Sequence, residues 1–219
     1  MTASQDDRID LRLPTGADGR GCFIVFEGGE GSGKSTQAEI LARLTGALMT
    51  HQPGATELGL ALRSILLDGV AGEVAHRAEA LLMAADRAQH VEEVILPALH
   101  SGRPVVCDRY TGSSVAYQGF ARGLDPAEIA WLSNWAANGL MPDVVIYLQV
   151  GQHEAAQRTG APRDRIEAAG SDFHLRVLDG FESQAAADAS RWLVVDGSGT
   201  VDEVTLRVTE MLARRLESA

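Results

Sequence analysis

Eight consecutive residues, Gly28-Gly29-Glu30-Gly31-Ser32-Gly33-Lys34-Ser35, have the spacing G-x-x-x-x-G-K-[ST], and Thr36 follows them. Glycines at these positions let backbone N–H groups turn inward onto phosphate oxygens, and the positive end of a following helix adds to that field. Lys34 is then placed to reach the β- and γ-phosphates of a nucleoside triphosphate, and the Ser35 hydroxyl to ligate Mg2+. The pattern predicts nucleotide binding. ATP is the better reading than GTP: a guanine-reading N-K-x-D needs a second lysine, and Lys34 alone among the 19 basic residues is lysine.

A carboxylate, Asp108, ends the apolar run Val105-Val106-Cys107. Beside a phosphate loop such a group holds Mg2+ or its water; its alternative role is to cap the following segment. Arg87, in Ala84-Ala85-Asp86-Arg87, reads by itself as a surface ion pair with Asp86 or Glu79. Arg158, Arg163 and Arg165 fall in a glycine- and proline-bearing stretch. They form either a solvated basic loop or a site for bidentate phosphate binding. Opposite a phosphate loop, the second reading makes the stretch a lid that excludes water from the transferring group.

The elements that must position these residues follow from hydrophobic period. Short apolar runs at 22–27, 47–50, 104–108, 144–150 and 192–195 alternate with helix-period segments at 34–45, 58–67, 75–100, 126–138, about 171–189 and 201–216. Pro97 is expected to bend or end the longest of these helices. Alternation of buried strands and helices predicts βαβ crossovers and a parallel sheet covered on both faces, with ligands at the carboxyl ends of the strands. The phosphate loop and Asp108 both lie at such ends.

Composition bounds the rest. The 219 residues fit one domain, read as residues 21–219 after a polar, flexible leader at 1–20, with a lid at about 152–170. A hydrophobic share of 45% against 22% charged residues excludes a disordered chain. The net charge of −11 argues against binding a nucleic acid polymer, which needs a basic face. No run approaches a membrane span, and the two cysteines, Cys22 and Cys107, read as buried hydrophobes in a reduced cytoplasm.

The segment Asp108-Arg109-Tyr110-Thr111-Gly112-Ser113-Ser114-Val115-Ala116-Tyr117-Gln118-Gly119 closely resembles the DRYxxSSxAYQG signature of the thymidylate kinase (dTMP kinase) family, of the bacterial type with lid arginines. Residues 78–87 and the run Arg163-Asp164-Arg165-Ile166-Glu167 are similar to that family too, and the resemblance spans about residues 21–212. It implies an α/β fold of the P-loop nucleoside-monophosphate kinase kind, with a five-stranded parallel sheet, helices on both faces and a short lid. It implies a cytoplasmic, homodimeric enzyme that phosphorylates dTMP to dTDP with ATP and Mg2+ for dTTP synthesis. The implied catalytic residues are Lys34, Arg109, Arg163, Arg165 and Glu30. Gly28, Gly29, Glu30, Gly31, Ser32, Gly33, Lys34, Ser35, Thr36 and Arg158 would hold ATP, with Ser35 and Asp108 at the metal.

For dTMP the resemblance implies Glu30 at the sugar 3′-hydroxyl and Arg87 with Arg109 at the 5′-phosphate. Ser113, Ser114 and Gln118 would face the thymine edge. Tyr117 would crowd the 2′ position, and Met83 would lie under the ring where the family has phenylalanine. Gly31 stands where some members place a loop arginine, so the lid arginines would form the transition-state clamp. The family's TREPGGT loop reads Thr50-His51-Gln52-Pro53-Gly54-Ala55-Thr56 here, and the aspartate of its YLDV strand is Gln149. Two other readings share the loop and the strand-end carboxylate: a diverged nucleoside-monophosphate kinase with another base preference, and a nucleotide-binding protein without turnover.

Overall fold

The computed structural model describes residues 11, 13–16, 19–68, 72–159 and 166–217. Five strands, β1 (Phe23–Glu27), β2 (Leu48–His51), β3 (Val105–Asp108), β4 (Val144–Gln149) and β5 (Trp192–Asp196), form one sheet in the order β2-β3-β1-β4-β5. Every pairing is parallel, as the alternation of strands and helices predicts. The helices between them are α1 (Lys34–Thr45), α2 (Glu57–Leu67), α3 (His76–His90), α4 (Leu96–His100), α5 (Thr111–Ser114), α6 (Pro126–Ala136), α7 (Gln152–Arg158), α8 (Ser171–Ala187) and α9 (Val201–Glu217). Among the described residues, no helix is long and apolar enough to cross a membrane.

β1 is buried on both faces, which is why it reads as an unbroken apolar run. Ile24 and Phe26 join Leu41 of α1 and Val208 and Leu212 of α9 on one side of the sheet. Phe23 and Val25 join Tyr110, Leu99 and Ile95 on the other. Complete burial of such side chains stabilises the fold by about 1.5–3 kcal/mol each. Alternation along β1 also puts Glu27 on the Phe23–Val25 face, pointing into protein.

Two expectations are refined by the structure. Of the two outcomes expected at Pro97, a bend or an end, the helix does not end there. The chain widens to a π-helical register over Val91–Ile95 and continues through Pro97 in the first turn of α4. Proline's missing N–H and its ring are absorbed where the i→i−4 ladder is already interrupted. The leader is not polar throughout: Leu11 is buried, and Leu13 packs beside it on the apolar cluster that includes α1 and α9. Seven charged residues among the first 20 positions mask these two leucines. Residues 1–10 lie outside the described residues.

Candidate active site

The glycine loop leaves β1 and enters α1 at Lys34. Gly33, the residue before the helix, is left-handed at φ +83°, and Gly31 at φ +73°. A Cβ on Gly31 would also lie 2.4 Å from the Ala155 carbonyl oxygen, so the close approach of α7 leaves no room for a side chain there. Lys34 is buried; its Nζ donates to the Gly29 carbonyl at 3.3 Å and lies 3.9 Å from Glu30 Oε2. Burial, and then the Arg109 guanidinium, push its pKa down. An incoming phosphate anion would favour the charged form and replace the weak Gly29 contact.

Parallel pairing of β1 with β3 sets Asp108 beside Phe26, next to the loop. Ser35 Oγ, exposed in the first turn of α1, donates to Asp108 Oδ2 at 2.5 Å. Asp108 Oδ1 is buried with no hydrogen-bond partner among the described residues. Hard oxygen donors with one orphaned carboxylate oxygen fit Mg2+. Thr36 follows, exposed on the same helical turn.

Arg109 occupies left-handed backbone, φ +68°, a strained conformation for a non-glycine residue. Its guanidinium donates to the Gly28 carbonyl and to Ser113 Oγ, each at 3.1 Å, and to Glu30 Oε1. The Tyr117 ring lies beneath it, 5.0 Å from the guanidinium carbon, and the Tyr117 hydroxyl donates to Glu30 Oε1 at 2.9 Å. Burial works against the Glu30 carboxylate. Arg109, Lys34 and the Tyr117 hydroxyl outweigh it and hold the pKa at about 2.

Glu27 fixes this arrangement from below. It is fully buried, and its Oε1 accepts the backbone N–H groups of Tyr110 (3.0 Å) and Ser113 (2.9 Å). Its Oε2 accepts the Ser113 hydroxyl at 2.5 Å. The Ser113 hydroxyl therefore bridges Glu27 and Arg109, and Ser113 also lines the cavity beside them. Desolvation raises the Glu27 pKa, offset in part by Ser113 and Arg109. Sequence reading missed Glu27, although the signal was the one that singled out Asp108: a carboxylate ending a buried strand.

A cavity of about 480 Å³ opens beside these groups. Lys34, Ser35, Asp108, Arg109 and Glu30 line one end, and Met83, Arg87, Ser114, Tyr117 and Gln118 contribute to the remainder. Arg87 is no surface ion pair. It is buried and donates to the Tyr110 carbonyl, Ser114 Oγ and Ser133 Oγ, while Asp86 accepts from Gly54 N and Glu79 pairs with Arg122. Its Nε has no partner among the described residues. Arg63 of α2 also lines the cavity, braced on the Pro53 carbonyl at 3.0 Å. Nothing in its helical context marks it as more than an exposed cation.

On the other side of Glu30, a second cavity of about 540 Å³ lies between the glycine loop, α7 and α8. Arg158 binds the Gly197 (2.9 Å) and Gly199 (3.0 Å) carbonyls and lies 3.5 Å from the Gly31 carbonyl. Arg163 and Arg165 lie outside the described residues. Gln149, at the exposed end of β4, bonds Glu182.

With this geometry in place, comparison with known proteins is direct. A family model described as thymidylate kinase matches residues 26–208. Thymidylate kinase of Cutibacterium acnes is 48% identical over 203 residues, covering 89% of this chain and 99% of that protein. Thymidylate kinase of Leifsonia xyli subsp. xyli is 48% identical over 206 residues, covering 90% and 96%. Crystalline thymidylate kinase from Ehrlichia chaffeensis superposes with a TM-score of 0.72 at 30% identity, covering 89% of this chain and 99% of that one.

Proposed function

The chain belongs to the thymidylate kinase family, and from that premise we propose the reaction of its site: transfer of the γ-phosphoryl group of ATP to the 5′-phosphate of dTMP, giving ADP and dTDP. The observation that carries this reading is the convergence of Lys34, Arg109, Glu30 and the Ser35–Asp108 pair at one cavity. Phosphoryl transfer asks for position and charge neutralisation more than for a strong base. Lys34 spans the β- and γ-phosphates, and Arg109 holds the acceptor phosphate in line, with Arg87 from the α3 side. Glu30, kept ionised, receives the sugar 3′-hydroxyl and orients Arg109. Tyr117, fixed by that same carboxylate, leaves no space at the 2′ position.

Ser35 and Asp108 would hold Mg2+, which when bound neutralises charge on the transferring phosphates. Arg158, Arg163 and Arg165 complete the clamp from a lid at about 152–170. The support is that Arg158 already touches the glycine loop, and that Gly31 has no room for an arginine of its own. Met83, Ser114 and Gln118 receive the base.

The enzyme works in the cytoplasm as a homodimer, with no membrane or nucleic acid polymer as partner. Supporting the dimer, Trp131 and Trp135 stand one turn apart on α6 at 67% and 69% exposure, and Leu81 of the adjoining α3 is also exposed. Coupled ADP release with ATP and Mg2+ against dTMP, dUMP, dCMP, dGMP and AMP tests the reaction. Turnover is expected with dTMP above all others. Turnover confined to another base, or none with any, would overturn it.

A further inference from the structure

We propose that Glu79, which does not line the cavity, sets base selectivity by fixing which end of the Gln118 amide faces the acceptor. This rests on the dTMP-kinase reading above. Glu79 is fully buried on α3. Arg122 grips it with two prongs, Nε to Oε1 at 3.1 Å and Nη2 to Oε2 at 3.2 Å. Arg122 is itself laid over the Phe173 ring of α8 at 4.6 Å. A carboxylate paired in this way is ionised and can only accept hydrogen bonds.

Gln118 Nε2 donates to Glu79 Oε1 at 3.0 Å. The reversed amide would set its oxygen against a carboxylate oxygen at that distance, two acceptors with no proton between them in a dry interior. That arrangement loses the bond and sets two acceptor oxygens against each other, although Arg122 still holds the carboxylate. The amide therefore has one permitted orientation. With one Nε2 hydrogen held by Glu79, the nitrogen end is turned toward α3, and the oxygen is the acceptor that Gln118 can offer the cavity whose wall it forms. An acceptor there matches a pyrimidine carrying a ring N3–H, as in thymine or uracil. It opposes cytosine, whose N3 is itself an acceptor. Glu79 is thus a positioning residue, and Arg122 and Phe173 hold it.

The test compares kcat/KM for dTMP and dCMP, at saturating ATP and Mg2+, in the wild type and Glu79→Gln. A neutral amide at 79 can donate as well as accept, so both orientations of Gln118 become available. The dTMP-over-dCMP ratio is expected to fall at least tenfold while the KM for ATP stays unchanged. If Arg122, left unpaired, unfolds that variant, Glu79→Gln/Arg122→Gln removes both charges and reads the same ratio. In the wild type, an N3-methylated dTMP should bind at least tenfold more weakly than dTMP by calorimetry. An unchanged ratio in a folded variant, or equal binding of the two nucleotides by the wild type, would overturn the proposal. Absence of any dTMP turnover by the wild type would instead overturn the reaction on which it rests.

Discussion

Two cavities flank Glu30, and they are built differently. On the acceptor side, the central arginine is cross-tied to the core. Arg109 is held by the Gly28 carbonyl, Ser113 and Glu30, and Ser113 is held in turn by Glu27 at the tip of the central strand. On the α7 side the wall is mostly apolar, including Leu148, Val150, Ala155, Ala156 and Val177. α7 has no buried residue, and Arg158 ties it to the backbone carbonyls of the β5–α9 loop. On the proposed reaction, the difference matches what each side would do. Fixed charge lowers a barrier only when it is in place before the reaction, so it is anchored to the sheet. A helix with little burial opens at low free energy, which suits an element that must admit and release nucleotide.

The largest expected effect separates the two sides directly. Arg109→Ala should lower kcat/KM for dTMP by about 10²–10³, because it removes a preorganised donor and leaves Glu30 without its main partner. Arg158→Ala should raise the KM for ATP by about tenfold and change the dTMP constants little, in line with one lost charge-assisted contact. Steady-state kinetics in both substrates decides. If Arg158→Ala matched Arg109→Ala on the dTMP side, the division between an anchored half and a loosely held half would fail.

A smaller effect is expected one layer below Arg109. Glu27→Gln keeps the shape but swaps one acceptor oxygen for a donor, so the side chain can no longer serve both backbone N–H groups and the Ser113 hydroxyl as a carboxylate does. Relief of burying a charge partly offsets the lost bonds in stability, so the melting temperature should shift by only a few degrees. Arg109, held at φ +68°, should lose its alignment, with kcat for dTMP falling about tenfold and ATP binding unchanged. Wild-type kcat in a folded Glu27→Gln protein would show that the strained arginine needs no anchor.

Most of the fold was legible because strand and helix periods differ and buried parallel strands are short and apolar. The five strands lie within a residue or two of the expected runs. The glycine loop was legible because its chemistry demands fixed spacing, and Asp108 because a carboxylate ends a short apolar run. The buried supports were not. Glu79, Glu27 and Arg87 are charged residues that composition assigns to the surface, and each is buried because its partner comes from a distant segment: Arg122, the Tyr110–Ser113 turn, and Ser114 with Ser133. Pairing across 27 to 86 residues leaves no local period. The exception is Glu27, whose place at the end of a strand carried the same signal as Asp108. Leu11 was hidden in the opposite way, as an apolar residue in polar surroundings.

The smallest effect on activity, and a distinct one on stability, belongs to His90. It is fully buried on α3, where Gln52 Nε2 donates to its Nδ1 at 2.9 Å and its Nε2–H is left to donate to Thr50 Oγ1 at 2.6 Å. The neutral ring thus pins the chain leaving β2, which carries His51 and Pro53 to the wall of the acceptor cavity. Burial, with His51 and Arg87 nearby, lowers its pKa from 6.5 to about 4. Between those values the unfolded chain binds a proton that the folded protein excludes. Stability from this residue is therefore complete above pH 6.5 and is lost as pH falls toward 4, by up to about 3 kcal/mol. His90→Gln should lose about 1–2 kcal/mol at pH 7.5 for the broken bonds, with kcat within about threefold of wild type. Its deficit relative to wild type should shrink steadily in urea unfolding at pH 7.5, 6.5 and 5.5, and vanish or reverse by pH 4.5. A constant deficit across that range would mean that the ring takes up a proton in the folded state. In that case the β2 exit would be held no more firmly than the α7 side.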